Sequence, residues 1–324
     1  MILITGGTGF IGSHLVEAVC ARGEPLRCLI RRGSFKRHPF ALPAQAELVF
    51  GDLLTGEGLS DALDGAGTVF HLAGVTKALS ASEFYAGNAR ATENLARAVA
   101  GRGVRFVHVS SLAAIGPSTD GTPVSDDAEP HPVSHYGTSK LEGERIARAL
   151  VPDAVIVRPA VVYGPRDTGV LEMFRSISRG FALKMSGGER WFQAIYVKDL
   201  ADGLMAAACT PQAGGRAYFL AHSKAVSWSE LSSSAARVMR KRTRTLRIPS
   251  PLAYAVGAFA EVCSRLAGKP MIISREKVKE AQCRHWTCDT RRAAQELGFE
   301  AQTPLELGLA KTLAWYKEAG WLKY

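Results

Sequence analysis

Two side chains four residues apart, in Tyr136-Gly-Thr-Ser-Lys140, could together handle a proton. On a helix that spacing sets a phenol and an ammonium on one face, one turn apart. A free phenol has a pKa near 10, so it works as an acid or base at neutral pH only if its phenolate is stabilised. Lowering that value by about three units takes ~4 kcal/mol of differential stabilisation, which the Lys140 charge and a positively charged ring bound beside it could supply. The run Val107-His-Val-Ser110-Ser111-Leu-Ala-Ala114 adds hydroxyls at the C-terminal end of a predicted core strand. In an open α/β sheet that edge is where ligands bind.

A second constellation opens the chain. Thr5-Gly-Gly-Thr-Gly-Phe10-Ile11-Gly12 follows an apolar strand and starts a helix. Gly6 allows a tight turn, Gly9 lets backbone approach a pyrophosphate, and Gly12 permits close helix–strand packing. The free N–H groups and positive dipole end of the helix then face the phosphates. This is a dinucleotide site in type, the alternative being a merely structural glycine turn. Roughly 20 residues past the last glycine, a carboxylate would hold the ribose 2′-hydroxyl of NAD. Here stand Arg31 and Arg32, with Ser34 close by. A guanidinium binds a 2′-phosphate bidentately, so NADP is favoured and NAD remains the alternative. Read without a ligand, the same arginines, followed by Lys36 and Arg37, make a solvated basic turn.

The elements that must position these groups alternate. Strands are expected over 2–5, 26–30, 47–50, 68–72, 106–110 and 154–158, and amphipathic helices over 11–22 and 88–100. That rhythm predicts an α/β fold, a doubly wound parallel sheet of Rossmann type over 1–164. A smaller, mainly helical substrate region follows over 165–324, some of its segments rejoining the sheet. One connection, from Gly116 to His135, is far longer than the usual ~4–6 residues, and such loops are functional or mobile. Composition is ordinary for a globular protein: 324 residues, 47% hydrophobic and 22% charged, which excludes disordered, collagen-like and disulfide-scaffold classes. No apolar run reaches the ~18–20 residues of a membrane span. No signal-peptide pattern opens the chain, so a cytoplasmic location is expected. The six cysteines are scattered without metal-ligand spacing, and they read as buried free thiols. The net charge of +10 permits an anionic ligand, nucleic acid or membrane and selects none. The basic residues are spread and no recognition motif is present, so nucleic acid is not expected.

In this order and spacing, TGGTGFIG, VSSLAAIGP, YGTSK and VRPAVVYGP resemble the extended short-chain dehydrogenase/reductases, of the NAD-dependent epimerase/dehydratase type. The resemblance covers nearly the whole chain. It implies Tyr136 as the acid/base, Ser111 rather than Ser110 as the hydroxyl on the substrate oxygen, and Lys140 on the nicotinamide ribose. It further implies Asp52 and Leu53 near the adenine, Leu72-Ala73-Gly74 beside the cofactor, and Arg158-Pro159-Ala-Val-Val162 flanking the nicotinamide. Asn88 would be a supporting residue, a helix N-cap being the plainer alternative. Relatives often pair through the helices bearing Asn88 and Tyr136, which implies a homodimer.

The family spans several reactions. Dehydratases of this type place Asp-Glu after the catalytic hydroxyl, whereas Leu112 and Ala113 follow here. Sugar-nucleotide members carry an arginine before Asp-Phe-x-Tyr-Val that grips the diphosphate. Tyr196-Val-Lys-Asp199 matches, but the earlier positions hold Phe192, Gln193 and Ala194, and Arg190 lies two residues off. Trp191 and Phe192 would suit an apolar or ring-shaped substrate, or else are core. The region from Trp286 to Trp321 is similar to that of 3β-hydroxysteroid dehydrogenase-like and hopanoid-associated epimerase-like members, with Asp289 and Leu297-Gly-Phe299 taken as fold elements. The expectation is an NADP-dependent oxidoreductase of an alcohol or ketone on a sterol-like or isoprenoid substrate. The alternatives are a sugar-nucleotide epimerase and a non-catalytic NADP sensor. Lastly, the apolar helix pattern over 249–260 follows a stretch, Arg237 to Arg247, with six basic residues and no acidic one. Such a pair can lie on an anionic membrane surface. Packing in the core with a solvated basic neighbour is the reading the pattern favours.

Overall fold

Short aliphatic runs between glycine-bearing turns become strands, and the amphipathic stretches between them become helices. The computed structural model describes residues 1–33, 42–271 and 273–324, so Ser34, Lys36 and Arg37 lie outside the described residues. Strands β1 (Ile2–Thr5), β2 (Leu26–Ile30), β3 (Glu47–Phe50), β4 (Thr68–His71), β5 (Arg105–Val109) and β6 (Val155–Pro159) fill the first half. Between them run α1 (Phe10–Ala21), α2 (Leu59–Leu63), α3 (Ala81–Tyr85), α4 (Ala91–Val99) and α5 (His135–Leu150). Beyond them come β7 (Val161–Tyr163), α6 (Leu171–Ser178), β8 (Phe181–Met185), β9 (Trp191–Phe192), β10 (Ala194–Tyr196), α7 (Val197–Cys209) and β11 (Ala217–Leu220). The last stretch holds β12 (Val226–Ser227), α8 (Trp228–Val238), β13 (Arg244–Ile248), α9 (Ser250–Ala267), α10 (Arg275–Gln282), β14 (His285–Trp286), α11 (Arg291–Leu297) and α12 (Leu305–Glu318).

Seven strands form one sheet in the order β3-β2-β1-β4-β5-β6-β11, every pairing parallel. This is the Rossmann-type doubly wound arrangement. Alternate residues of each strand serve opposite faces: Ile4, Val107 and Val157 join one core, and Leu3, Phe106 and Ile156 the other. A sheet buried on both sides needs such unbroken apolar strands. The order reverses between β1 and β4, and the crevice at their carboxyl ends is where a ligand fits such a sheet.

The second half is not a separate mass. β11 extends the sheet beside β6 and α7 packs on α1, while α6, α8 and α12 enclose a further core around Phe174 and Tyr316. The long connection from Gly116 is tied down: Ser118 N–H donates to the His285 carbonyl and Val124 N–H to that of Thr287, at 2.8 and 3.0 Å. Within it, buried Asp126 accepts from Phe219 N–H at 2.8 Å, and burial pushes its pKa up to about 6. Of the cysteines, none is paired, but only Cys28 and Cys288 are buried and Cys209 is exposed. The thiols follow their elements, not a common core. α9 is a helix as expected, yet its large apolar residues face outward, with Phe259 71% exposed. It packs on its small residues instead.

Arg158, on β6, is 4% exposed and holds Glu144 of α5 through bonds of 3.0 and 2.6 Å. Its other arm donates to the Asp126 carbonyl at 2.6 Å. Removing one partner strands the other charge in a dry interior, which costs about 3–5 kcal/mol. Glu144→Ala should therefore lower the unfolding free energy by about that amount. Denaturant titration of the two proteins checks it, and a loss within experimental error would refute the assignment.

Candidate active site

The glycine loop joins β1 to α1 at the switch in strand order. Gly6 has φ +77°, and a Cβ there would lie 2.6 Å from the Ala73 nitrogen and 2.8 Å from the Leu72 carbonyl carbon. The loop is thus pressed against Leu72-Ala73-Gly74, the segment leaving β4. A Cβ on Gly12 would overlap the Gly6 carbonyl oxygen, so this glycine packs helix on loop. A Cβ on Gly9 would meet only the Gly6 oxygen, at 3.2 Å. Gly9 is also the N-cap of α1, no side chain caps that end, and its first turn, with Phe10, Ile11 and Gly12, holds no acid. Uncapped N–H groups behind an open glycine are what a pyrophosphate requires, so these residues fit a dinucleotide.

At the end of β2, one strand over, Arg31 and Arg32 are exposed, and the Arg32 guanidinium lies 5.2 Å over the Phe50 ring. Neither has an acid partner among the described residues. Asp52, just after β3, spends one carboxylate oxygen on Leu54 N–H at 2.7 Å, and the Leu53 carbonyl accepts from Asn94 at 2.7 Å.

Ser111, Tyr136 and Lys140 come together because α5 starts against the turn after β5. Ser134 caps the helix, accepting from Gly137 N–H at 3.1 Å, and a Cβ on Gly137 would overlap the Ala113 carbonyl. Only glycine allows that approach, which sets Tyr136 beside Ser111, whose hydroxyl pulls the phenol's pKa down. Ser111 and Tyr136 both line one cavity, whereas the Ser110 hydroxyl is buried and finds no partner among the described residues. Lys140 is buried and donates to the Val109 carbonyl at 2.7 Å. Asn88 is no N-cap: it sits inside a π-helical turn, Ala86–Arg90, where a widened helix lets a side chain reach inward. It accepts from Val75 N–H at 2.7 Å and donates to the Val75 carbonyl and to Ser139, both at 2.9 Å. It thus clamps the chain next to Gly74, where an added Cβ would lie 3.8 Å from the Lys140 ammonium.

The electrostatics differ from the expectation that Lys140 lowers the Tyr136 pKa. Burial pushes the Tyr136 phenol up, against the Ser111 hydrogen bond and the charge of Lys277, which pull it down. The cation at Tyr136 is Lys277 of α10, its Nζ 5.2 Å from the ring centroid, while Lys140 is turned to the Val109 carbonyl. Lys277 is 141 residues from Tyr136 in sequence, and no local pattern marks it. Burial likewise holds the Lys140 pKa down, to about 8. Behind it His71 and His108 are buried and neutral, burial and the Lys140 charge both lowering their pKa values.

The cavity before Tyr136 is about 710 Å³, and Pro159, Val162, Trp191 and Phe192 share its wall. Trp191 is 40% exposed into this space; Phe192 is 7% exposed and belongs mostly to the core, its ring 6.1 Å from that of Trp228. Arg190 also reaches the cavity, but its guanidinium is spent on backbone carbonyls of Met185, Ser186, Gly188 and Ala281 at 2.6–3.3 Å. Gln193 bridges the His222 carbonyl and Cys288 N–H. Neither is left to grip a diphosphate. Asp289 pairs with Arg291, and Gly298 closes α11 in the left-handed region, both serving the fold.

Known proteins of this form exist. A family model described as the NAD dependent epimerase/dehydratase family matches residues 2–221. A ceramide reductase of Caulobacter vibrioides is 34% identical over 322 residues, spanning 99% of this chain and 96% of its own length. An Escherichia coli O157:H7 protein named N-acetyl-alpha-D-glucosaminyl-diphospho-ditrans,octacis-undecaprenol 4-epimerase is 25% identical over 322 residues, spanning 96% and 94%. The solved structure of MoeE5 in complex with UDP-glucose and NAD is 28% identical, with a TM-score of 0.77 over 98% of this chain and 99% of that one.

Two outcomes test this geometry. Replacing Arg31→Asp with Arg32→Ala should move cofactor preference from NADP toward NAD; an unchanged ratio of affinities makes the two arginines plain surface charge. The second concerns pH. Unfolded, a lysine titrates near 10.4, against about 8 for Lys140 folded, so between those values the unfolded chain binds more protons. The penalty of burying the charge is fully present below pH 8 and is relieved as pH rises through that window. Stability of the cofactor-free protein relative to Lys140→Met should then rise between pH 7.5 and 10, by about 2–3 kcal/mol. Denaturant unfolding at the two pH values measures it; a flat difference would refute the buried charge.

Proposed function

The chain belongs to the NAD dependent epimerase/dehydratase family, an NAD(P)-dependent enzyme of the extended short-chain dehydrogenase/reductase type, and from that premise we propose that it reduces the ketone of a hydrophobic lipid with NADPH. The single observation that carries the reading is the pairing of an apolar cavity with a missing diphosphate clamp. Met173, Leu183, Met185, Trp191 and Trp228 wall the space in front of Tyr136, and the one arginine there is occupied by four carbonyls. A sugar diphosphate would find no free arginine there, and the cavity's lysines, Lys184 and Lys277, are already paired with Glu189 and Glu280. A sterol-like, isoprenoid or acyl chain would instead bury apolar surface at about 25 cal/mol per Å².

When bound, the reduced nicotinamide supplies a hydride to the carbonyl carbon. Ser111 orients the carbonyl oxygen, and Tyr136 gives that oxygen its proton, so the product is the alcohol. A phenol held above its ordinary pKa keeps its proton at neutral pH, which suits an acid in the reducing direction. Reduced nicotinamide is uncharged and does not oppose this. Lys140, turned to the Val109 carbonyl and next to Gly74, would hold the ribose hydroxyls. The name of the 34% identical relative agrees in kind, ceramide being a lipid, and makes an oxidised ceramide-type ketone the substrate class best supported; the name of the Escherichia coli relative, an epimerase of a sugar diphosphate carried on a lipid, goes with the rival reading.

The rival reading is an epimerase, favoured by the likeness to MoeE5 with UDP-glucose and NAD. It uses the same hydride step twice and returns the cofactor unchanged. Absorbance of reduced nicotinamide, followed with stoichiometric protein and either keto-lipids or UDP-sugars, separates the two once the organic products are analysed. Net oxidation of NADPH by an apolar ketone is expected. A changed sugar without net absorbance change would overturn the reductase reading. Tyr136→Phe should lower turnover by about 10²–10⁴-fold while cofactor binding stays nearly intact. Full activity in that variant would remove Tyr136 from the chemistry, whereas no turnover in the parent with any ketone or sugar would leave an NADP sensor.

A further inference from the structure

α9 presents its faces in the reverse of a core helix. The small residues Ala253, Gly257, Ala260 and Ser264 are buried, and a Cβ on Gly257 would lie 3.0 Å from the Arg275 nitrogen, so this stripe is the seam toward α10. The large residues point outward: Leu252 is 54% exposed, Phe259 71% and Leu266 84%, with Val256 and Val262 between them. At about 100° per residue these five occupy one side of the helix. From Ser250 to Ala260 the helix carries no charged residue. A contiguous apolar face of this kind marks an interaction surface.

The charge around it is mostly basic, the one acid of α9, Glu261, being paired with Arg275. Between Glu230 and Glu261 there is no acidic residue. Arg240, Lys241, Arg242, Arg244 and Arg247, leading along β13 into α9, are exposed and have no acid partner among the described residues. Arg265 and Lys269 add exposed cations at the far end. Both ends of the helix also meet the active-site cavity: Ile248, the last residue of β13, and Ile273, past the end of α9, line it. α10, which follows, sets Lys277 over Tyr136.

We propose that α9 and its basic rim lie in the headgroup layer of an anionic phospholipid bilayer, with the cavity mouth turned toward the membrane. An amphipathic helix in this plane buries its apolar side at the acyl boundary while flanking lysines and arginines meet lipid phosphates. The helix is not long and apolar enough to cross, so it lies on the surface. A second copy of the chain packed about a two-fold axis would set one basic rim beside another, whereas the lipid surface carries the opposite sign. The docking stands on this surface alone; only its use, passage of an apolar substrate from lipid to Tyr136, rests on the reductase reading.

The test is sedimentation of the full chain with vesicles of phosphatidylcholine alone or mixed with phosphatidylglycerol. Binding is expected to the mixed vesicles, weakened by salt, and far weaker to the neutral ones. Phe259→Glu with Leu266→Glu should abolish it, and each cation removed from Arg240 to Arg247 should weaken it about fivefold. Both apolar residues are solvent-exposed, so the double variant should keep its melting temperature and its turnover of a short, water-soluble ketone. Sedimentation equal in parent and double variant would overturn the proposal. So would a vesicle-independent dimer that the two substitutions dissociate. Vesicle binding that persists in a protein reducing no ketone would leave the docking standing and remove the reductase reading alone.

Discussion

One buried ion pair holds α5, the helix that carries Tyr136 and Lys140, to its sheet. Arg158 reaches from β6 to Glu144 of α5 and, with its other arm, to the backbone of the long connection at Asp126. Its guanidinium plane also lies 5.6 Å over the Phe219 ring of β11. Four parts of the molecule meet at this residue, two of them distant in sequence. A pair so dry is worth little as stabilisation against an apolar replacement, but breaking it strands one charge in the interior, and this ties α5 to β6. Tyr136 and Lys140 take their positions from that tie, two turns and one turn before Glu144 on the same helix.

From this anchor the chemistry follows by proximity. α5 begins where Gly137 can touch the turn after β5, so the phenol meets Ser111 instead of open solvent. Burial then raises the phenol and lowers the ammonium, and the two groups are not the coupled pair that their spacing suggests. The Lys140 ammonium satisfies itself on a strand carbonyl, as a buried donor must. The charge over the phenol comes from α10, which docks onto the start of α5 through Glu280 to Ser134 at 2.6 Å and Glu276 to the His135 N–H at 3.0 Å. The second half of the chain thus supplies walls of the cavity and also part of the electrostatics of the Tyr136 phenol.

Those same docking contacts tie surface to site. α9 and α10 share a seam of small residues and a Glu261–Arg275 pair at 2.8 Å. A helix whose outer face sits in lipid would accordingly carry the Tyr136 cavity with it, and the apolar wall of Leu183, Met185 and Ile248 would open toward the acyl region. Apolar walls and apolar outer face are then two parts of one path, each explicable by the free energy of keeping a lipid out of water.

The amino-acid sequence by itself determined what depends on neighbours in the chain. Alternating apolar strands and amphipathic helices specified the parallel sheet, and the glycines of 6–12 specified the loop, because conformational freedom and periodicity are local properties. The spacing of Tyr136 and Lys140 likewise put both on one face of α5. Tertiary structure decided everything that depends on a partner from elsewhere. The positions of Arg190 and Phe192 showed a departure from the sugar-nucleotide pattern, yet only the fold revealed that Arg190 is consumed by carbonyls and that Phe192 is mostly core. Asn88 was expected as a supporting residue or a cap, and only the fold showed how it supports, bonding both polar groups of the Val75 backbone from inside a π-turn that composition does not reveal. Lys277 was invisible because its contact with Tyr136 spans the chain, and the outward face of α9 was misread because an apolar helix pattern says which side is apolar, not which side is covered. Burial is a sum over distant contacts, and no window of sequence contains it.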